Sequence, residues 1–164
     1  MLQRPVRENI SLAGLDLREF SMGGILRTRA ERTMAFRLGQ QMGVKPLRPE
    51  LDVGRYSGGN QQKVMLAKYI AKDTKLFIFD EPTIGIDVAT KAEIYRFLAE
   101  TVAGGAGILL ISSELKEIIN LCHRVYVISD GSVRAELHGE AITERNLLTN
   151  FFEVDARDST AVRE

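Results

Sequence analysis

The chain has 164 residues, the size of one ordinary domain, and its 22 basic and 22 acidic side chains give a formal net charge of zero. This balance gives no electrostatic support for broad binding to nucleic acid, so no nucleic-acid partner is expected. With 45% hydrophobic and 27% charged residues, the composition excludes a chain that is disordered as a whole. The single cysteine excludes an internal disulfide framework and a cysteine-based zinc site.

The sequence predicts a small, mainly helical region at residues 1–54. Apolar side chains recur at helical spacing over residues 29–42, and Gly43 with the prolines that follow ends this helix. We expect a second region, with a different pattern, at residues 55–154. The polar segment 155–164 is predicted to be a frayed tail.

Helices and strands alternate in the second region. The predicted order is a helix at residues 58–71, a buried strand at 76–79, a helix capped by Asp87, a buried strand at 108–111, a helix at 114–121, a hairpin of 125–128 with 133–137, and a last helix after Thr143. Short apolar runs of this kind suit buried parallel strands, and Asp130-Gly131 is typical of a hairpin turn. The pattern predicts an α/β fold with a mainly parallel sheet, crossover helices and a C-terminal β-hairpin.

A serine and two glycines stand at the start of the helix predicted at residues 58–71. Around Ser57, Gly58 and Gly59, several backbone N–H groups would be free at the positive end of the helix dipole, which suits a phosphate. Because glycine has no Cβ, phosphate oxygens can come close to the backbone there. An ordinary capped helix after a glycine turn explains the same residues about equally well.

Two adjacent acids, Asp80 and Glu81, end the strand predicted at residues 76–79. Ligands of open α/β sheets bind beyond the carboxyl ends of the strands. In phosphoryl transfer, Asp80 would hold Mg²⁺ directly or through water, and Glu81 would polarise the attacking water. A pair of solvated acids in a strand-to-helix loop is the alternative. For Asp87, a helix N-cap and a role at the site are compatible.

Together these motifs resemble the ATP-binding cassette of ABC ATPases. Residues 57–61 are similar to its signature motif, with Asn60 where glutamine is more usual, residues 76–81 resemble the Walker B strand, and residues 84–87 the D-loop. The resemblance implies a partial P-loop NTPase fold whose small helical subdomain opens near residues 6–10. It implies ATP and Mg²⁺ as cofactors, Ser57, Gly58, Gly59, Asn60 and Asp87 as ATP-binding residues, Asp80 as the Mg²⁺ residue and Glu81 as a catalytic residue.

A narrower resemblance concerns the run Ser-Gly-Gly-Asn-Gln-Gln-Lys-Val at residues 57–64, which is similar to ATP-binding subunits of monosaccharide importers. Those subunits carry two cassettes, and residues 111–115 resemble the second, in which Ser113 stands at the position of the switch histidine. A serine lacks the charge and reach of histidine, so the resemblance implies a catalytically weakened cassette. It also implies a facing cassette, membrane permease subunits and, indirectly, a solute-binding protein as partners, with the subunit in the cytoplasm on the inner face of the cell membrane.

The sequence contains no Gly-x-x-x-x-Gly-Lys-Ser/Thr motif, the Walker A loop that grips phosphates. In the family this loop precedes the helical subdomain, so we expect the chain to be the C-terminal part of a cassette. Alone it would be an inactive ATPase, and it would self-associate through an exposed sheet edge. Two alternatives stay open: a non-catalytic interaction module that completes a partner's ATP site, and a fragment of a non-transport ABC ATPase.

Overall fold

A computed structural model describes residues 1–14, 21–22, 25–70 and 74–152, and the predicted tail at 155–164 lies outside them. The chain forms two compact units, Met1–Leu109 and Leu110–Glu164. The helices are α1 (Val6–Ser11), α2 (Thr28–Gln41), α3 (Gly58–Ile70), α4 (Val88–Ala103), α5 (Leu115–Leu121) and α6 (Glu144–Phe152). The strands are β1 (Ser21–Met22), β2 (Ile25–Leu26), β3 (Leu76–Asp80), β4 (Gly107–Ile111), β5 (Arg124–Ser129) and β6 (Ser132–His138). This order confirms the predicted α/β class, while the functional boundary at residue 54 stays a prediction.

Helices α1, α2 and α3 pack against one another in the first unit. Their apolar side chains recur at helical spacing, so each helix has one inward face, and Val6, Ile10, Leu38 and Val64 are all buried there. Helix α2 is the helix predicted over residues 29–42, and its apolar stripe is indeed its buried face. The short antiparallel pair of β1 and β2 was not predicted from the sequence.

A buried carboxylate lies among these helices. The side chain of Glu31 is only 1% exposed, and Arg7 Nη1 donates a 2.8 Å hydrogen bond to one of its oxygens. The Ser11 hydroxyl donates to the other oxygen at 2.7 Å. Arg7 Nε also donates to Glu50, and first Glu50 and then Glu31 raise the pKa of Arg7 above its ordinary value. Since both oxygens of Glu31 have partners, this network compensates a charge that would be costly if left alone.

Strand β3 is hydrogen-bonded to β4 in a two-stranded sheet. Its side chains alternate between the two faces: Phe77 and Phe79 are buried and their rings are stacked with centroids 5.7 Å apart. On the other face, Leu76 and Ile78 are 60% and 63% exposed, and Leu109 of β4 is half exposed. The prediction of a buried strand at residues 76–79 is therefore wrong for one of its two faces, because the described residues cover only the face of Phe77 and Phe79.

The second unit contains the β5–β6 hairpin with α5 and α6. Asp130 and Gly131 have φ angles of 50° and 73°, the positive values that a tight hairpin turn requires. The core of this unit consists of Ile118, Val125, Val127, Ile142 and Leu147. Thr143 Oγ1 accepts a 3.2 Å hydrogen bond from the backbone N–H of Asn146, so Thr143 caps the last helix, which starts directly after it as predicted. None of the described helices is long and apolar enough to cross a membrane.

Candidate functional site

The first turn of α3 is open to solvent. Ser57 directly precedes the helix, Gly58 begins it, and both residues are exposed. A Cβ added at Gly58 would have no heavy atom of the described chain within 4 Å. Packing therefore gives no reason for a glycine at this position, whereas close approach by an external ligand to the backbone N–H groups would.

Gly59 is a different case, because α4 lies against it. A Cβ at Gly59 would come within 2.8 Å of Thr90 Oγ1 and 2.9 Å of Thr90 Cγ2, which is closer than real atoms pack. The residue is buried, so the packing of α3 on α4 is enough to require a glycine. The predicted role of Gly59 in binding ATP stays a prediction beside this structural one.

Asn60 uses its side-chain amide inside the chain. Its Nδ2 donates a 3.1 Å hydrogen bond to the Ser57 hydroxyl oxygen, and its Oδ1 accepts one of 3.0 Å from the backbone of Lys45. These two bonds hold the Ser57 hydroxyl in place beside the loop that follows α2. In this arrangement Asn60 orients a neighbouring residue, and direct binding of ATP by Asn60 stays a prediction.

The two predicted acids lie at the end of β3. Asp80 is the exposed last residue of the strand, and such a carboxylate fits Mg²⁺, which takes one or two carboxylates together with phosphate oxygens and water. Glu81 is half-buried and has a φ of 47°, a left-handed conformation that costs a non-glycine residue about 1–3 kcal/mol. The surroundings of the loop must therefore hold Glu81 in this conformation.

Asp87 caps α4, as the sequence predicts. One of its carboxylate oxygens accepts a 3.0 Å hydrogen bond from the Thr90 backbone N–H, and the other accepts a 2.7 Å bond from the Thr90 hydroxyl. The hydroxyl first, and then the backbone N–H, lower the pKa of Asp87 below its ordinary value of 3.8. The carboxylate is thus ionised at neutral pH, and its contact with ATP stays a prediction.

Three contacts join α3 to the segment that follows β3. Gly59 packs on Thr90. Gln62 Nε2 donates a 2.6 Å hydrogen bond to the carbonyl oxygen of Pro82. Lys63 forms an ion pair with Glu93 of α4. These contacts connect the Ser57–Gly58 turn with the loop that starts at Asp80 and Glu81, called the acid loop below. Sequence reasoning missed the connecting residues Gln62 and Lys63.

Ser113 lies exposed between β4 and α5, in the second unit. The preceding residue, Ser112, accepts a 3.0 Å hydrogen bond from the backbone of Glu114 and donates one of 2.6 Å to the buried carboxylate of Glu117. The turn that carries Ser113 is therefore fixed by side-chain hydrogen bonds. Its predicted place at the switch position stays a prediction.

Comparison with known proteins identifies the family of this chain. The model of the ABC transporter family matches residues 3–84, which are half of the 164 residues and include the Ser57–Gly59 turn and both acids. The chain belongs to the ABC transporter family. The predicted resemblance to ABC ATPases is thereby confirmed.

Curated ABC relatives are much longer than this chain. The ribose import ATP-binding protein RbsA 2 of Rhizobium meliloti (strain 1021) is 45% identical over 138 residues, which cover 84% of this chain and 27% of that protein. The ribose import ATP-binding protein RbsA 1 of Mesorhizobium japonicum (strain LMG 29417 / CECT 9101 / MAFF 303099) is 38% identical over 159 residues, with coverage of 97% and 30%. The chain therefore spans less than a third of the length of these relatives.

Solved ABC cassettes have the same fold. The ATP-binding cassette MJ1267 of an ABC transporter superimposes with a TM-score of 0.73 at 22% sequence identity, covering 90% of this chain and 62% of that one. At this identity the likeness concerns the fold alone. It confirms the predicted partial P-loop fold of the ABC ATPases.

Proposed function

We propose that this chain forms part of an ATP-binding subunit that couples ATP hydrolysis to the import of a ribose-type monosaccharide. The names of the relatives support the substrate class. The observation that carries the proposal is the open first turn of α3, where a Cβ added at Gly58 would have no heavy atom of the described residues within 4 Å. An external phosphate group accounts for that residue.

In the proposed mechanism, Ser57 and Gly58 bind the γ-phosphate of an ATP molecule held by a facing cassette. Backbone N–H groups of the first turn of α3 donate to the phosphate, and Asn60 holds the Ser57 hydroxyl beside them. An exposed helix N-terminus contributes only about 0.3–1 kcal/mol to anion binding. Most of the affinity for ATP therefore comes from the facing cassette, and the chain alone binds ATP poorly.

The acids at the end of β3, Asp80 and Glu81, act in the hydrolysis of ATP in the proposed mechanism. Glu81 accepts a proton from the water that attacks the γ-phosphate, and Asp80 would hold Mg²⁺, directly or through water. When bound, Mg²⁺ neutralises charge that develops on the phosphates. The site residues are thus divided between two ATP sites: Ser57 and Gly58 face one, and Asp80 and Glu81 belong to the other.

A second function is favoured by Ser113, which stands at the position proposed for the switch histidine. In this version the chain completes the partner's ATP site and contributes no hydrolysis of its own. The two functions differ in the effect of Glu81→Gln on the assembled importer. A loss of ATP hydrolysis equal to that of the matching substitution in the other cassette supports an active site here, and no loss supports the second function.

The proposed partners are the facing cassette, the permease subunits and, through them, a solute-binding protein. Contact with the permease would place the subunit in the cytoplasm, on the inner face of the membrane. The permease and the solute-binding protein would select the sugar, because the phosphate-binding turn and the acid loop of this chain recognise only ATP.

The test of the proposal is Gly58→Asp in the importer assembled in lipid vesicles, with Gly58→Ala as the matched control. A carboxylate about 4 Å from a phosphate oxygen costs about 4 kcal/mol at the effective dielectric of a protein surface, so ATP hydrolysis and ribose uptake should fall by more than tenfold. Gly58→Ala adds a Cβ that hinders the phosphate but adds no charge, so it should lose less of both activities than Gly58→Asp. Thermal melting of each variant checks folding, since an acid in the first turn of a helix is not destabilising by itself. Normal turnover by well-folded Gly58→Asp would contradict the proposal.

A further inference from the structure

We propose that Gln62 is a positioning residue for Glu81: its side-chain amide holds the Glu81–Pro82 turn against α3, so that the Glu81 carboxylate stays where hydrolysis needs it. The inference rests on the proposed function of Glu81 as the group that activates water. It concerns a hydrogen bond between two segments that are 20 residues apart in the sequence.

The conformation of Glu81 is one that the local sequence does not favour. Its φ of 47° is in the left-handed region, and the next residue is Pro82, which restricts a preceding residue to extended conformations. A residue held in this way persists only when contacts around it fix the turn. Backbone contacts contribute one such anchor, a 3.3 Å hydrogen bond from the Ile84 N–H to the Glu81 carbonyl oxygen.

Gln62 supplies an anchor at the adjacent peptide unit. Proline has no backbone N–H, so the carbonyl oxygen of Pro82 is its one main-chain hydrogen-bonding atom. That oxygen accepts the 2.6 Å hydrogen bond from Gln62 Nε2, and Pro82 itself is buried. Gln62 lies one turn after Gly58 in α3, so the bond also connects the phosphate-binding turn with the loop of Glu81.

The chain offers a matched control in the neighbouring glutamine. Gln61 Nε2 donates a 2.8 Å hydrogen bond to the carbonyl oxygen of Tyr56, a residue that precedes α3. Both glutamines are half-buried, lie in the first part of the same helix and bind a backbone carbonyl. They differ in the carbonyl oxygen that they bind, since Gln61 binds that of Tyr56 and Gln62 binds that of Pro82 in the acid loop.

The first measurement is amide hydrogen exchange of Ile84 by NMR in the 164-residue chain. Gln62→Ala and the isosteric Gln62→Glu, which has no donor when ionised, should each raise the exchange rate about five- to tenfold, the effect expected from one lost hydrogen bond. Gln61→Ala should leave the rate within about twofold of the wild-type rate, and Gln62→Lys, which keeps an N–H donor, should restore most of the protection. An Ile84 rate in Gln62→Glu equal to that of the wild type overturns the proposal.

The second measurement is ATP hydrolysis by the assembled importer. Gln62→Glu should lower kcat severalfold, because the Glu81 carboxylate is held less accurately, and leave KM for ATP unchanged. A purely structural role would reduce the amount of folded subunit and leave kcat per folded site intact. Glu81→Gln in the same assembly tests the proposed function separately. If Glu81→Gln has no effect, the function assigned to Glu81 fails; if Glu81→Gln is inactive and Gln62→Glu keeps a normal kcat, the positioning role fails.

Discussion

Gly59 of α3 and Thr90 of α4 approach so closely that the Cβ of any other residue at position 59 would lie 2.8 Å from the Thr90 hydroxyl oxygen. Thr90 cannot simply turn away, because Asp87 accepts hydrogen bonds from both its hydroxyl and its backbone N–H. The start of α3 therefore packs against the start of α4, which Asp87 caps. Two glycines that are adjacent in the sequence thus have unlike surroundings.

Substituting alanine for Gly58 or for Gly59 should change the free energy of unfolding by different amounts. Gly59→Ala should lower the free energy of unfolding by about 1–3 kcal/mol, because a methyl group is forced into a filled space. Gly58→Ala should change it by no more than about 0.5 kcal/mol, because the added methyl group meets solvent. Urea unfolding of both variants measures the difference. Thr90→Ala combined with Gly59→Ala should recover part of the loss, and equal effects at the two glycines would contradict the packing described here.

The left-handed conformation of Glu81 predicts an unusual order of stability at that position. Glu81→Gly should be more stable than Glu81→Ala by about 1–2 kcal/mol, because glycine adopts a positive φ without the cost that a Cβ brings. Both variants lack the carboxylate, so any contact that it makes is lost equally and cancels. Thermal or urea unfolding of the pair gives the answer. Alanine that is as stable as glycine would show that the turn is not strained at residue 81.

The Asp87 cap predicts a defined dependence on pH. The pKa of Asp87 is lower in the folded chain than its ordinary value of 3.8, so the stabilisation from this group is fully present above that value and is lost as pH falls through the lower folded pKa. Titration of the Asp87 carboxyl carbon by NMR should give a midpoint below 3.8. Thr90→Val removes the hydroxyl but keeps the side-chain shape, so the midpoint should move up toward 3.8. A midpoint that does not respond to this change would mean that the hydroxyl is not the main cause.

The buried carboxylate of Glu31 predicts that Arg7 matters more than a neighbouring surface arginine. Arg7→Met should lower the free energy of unfolding by about 3 kcal/mol, because it removes the charge partner of a side chain that is 1% exposed. Arg4→Met, which removes an exposed 3.5 Å pair with Glu8, should cost less than about 1 kcal/mol. Urea unfolding at neutral pH compares the two. Similar losses from both variants would show that the Arg7 pair behaves as a surface contact.

Much of the fold follows from local signals in the sequence. The 3.6-residue period gives α2, the aspartate cap gives the start of α4, and Asp130-Gly131 gives the hairpin turn. The apolar run at residues 76–79 does not by itself reveal that Leu76 and Ile78 are exposed, because such a run has the same pattern whether one or both faces are covered. The contact of Gln62 with Pro82 joins residues 20 positions apart, so no local pattern in the sequence predicts it. The positive φ of Glu81 is opposite to the preference of a residue before proline, so the local sequence does not predict it either.

The open space beside Gly58 has a practical consequence for labelling. The Cβ of a Gly58→Cys side chain would have no heavy atom of the described chain within 4 Å, apart from its chain neighbours and the backbone of its own helix, so we expect that a maleimide or a spin label can be attached there with little disturbance of the helix. The natural thiol, Cys122, is half-buried, and burial and then the charge of Glu117 raise its pKa above 9.0. At neutral pH the new thiol should therefore react much faster than Cys122, because only the thiolate is nucleophilic. A fluorophore at residue 58 would then report the approach of a second cassette to the start of α3, while the label itself would keep a phosphate from the backbone there.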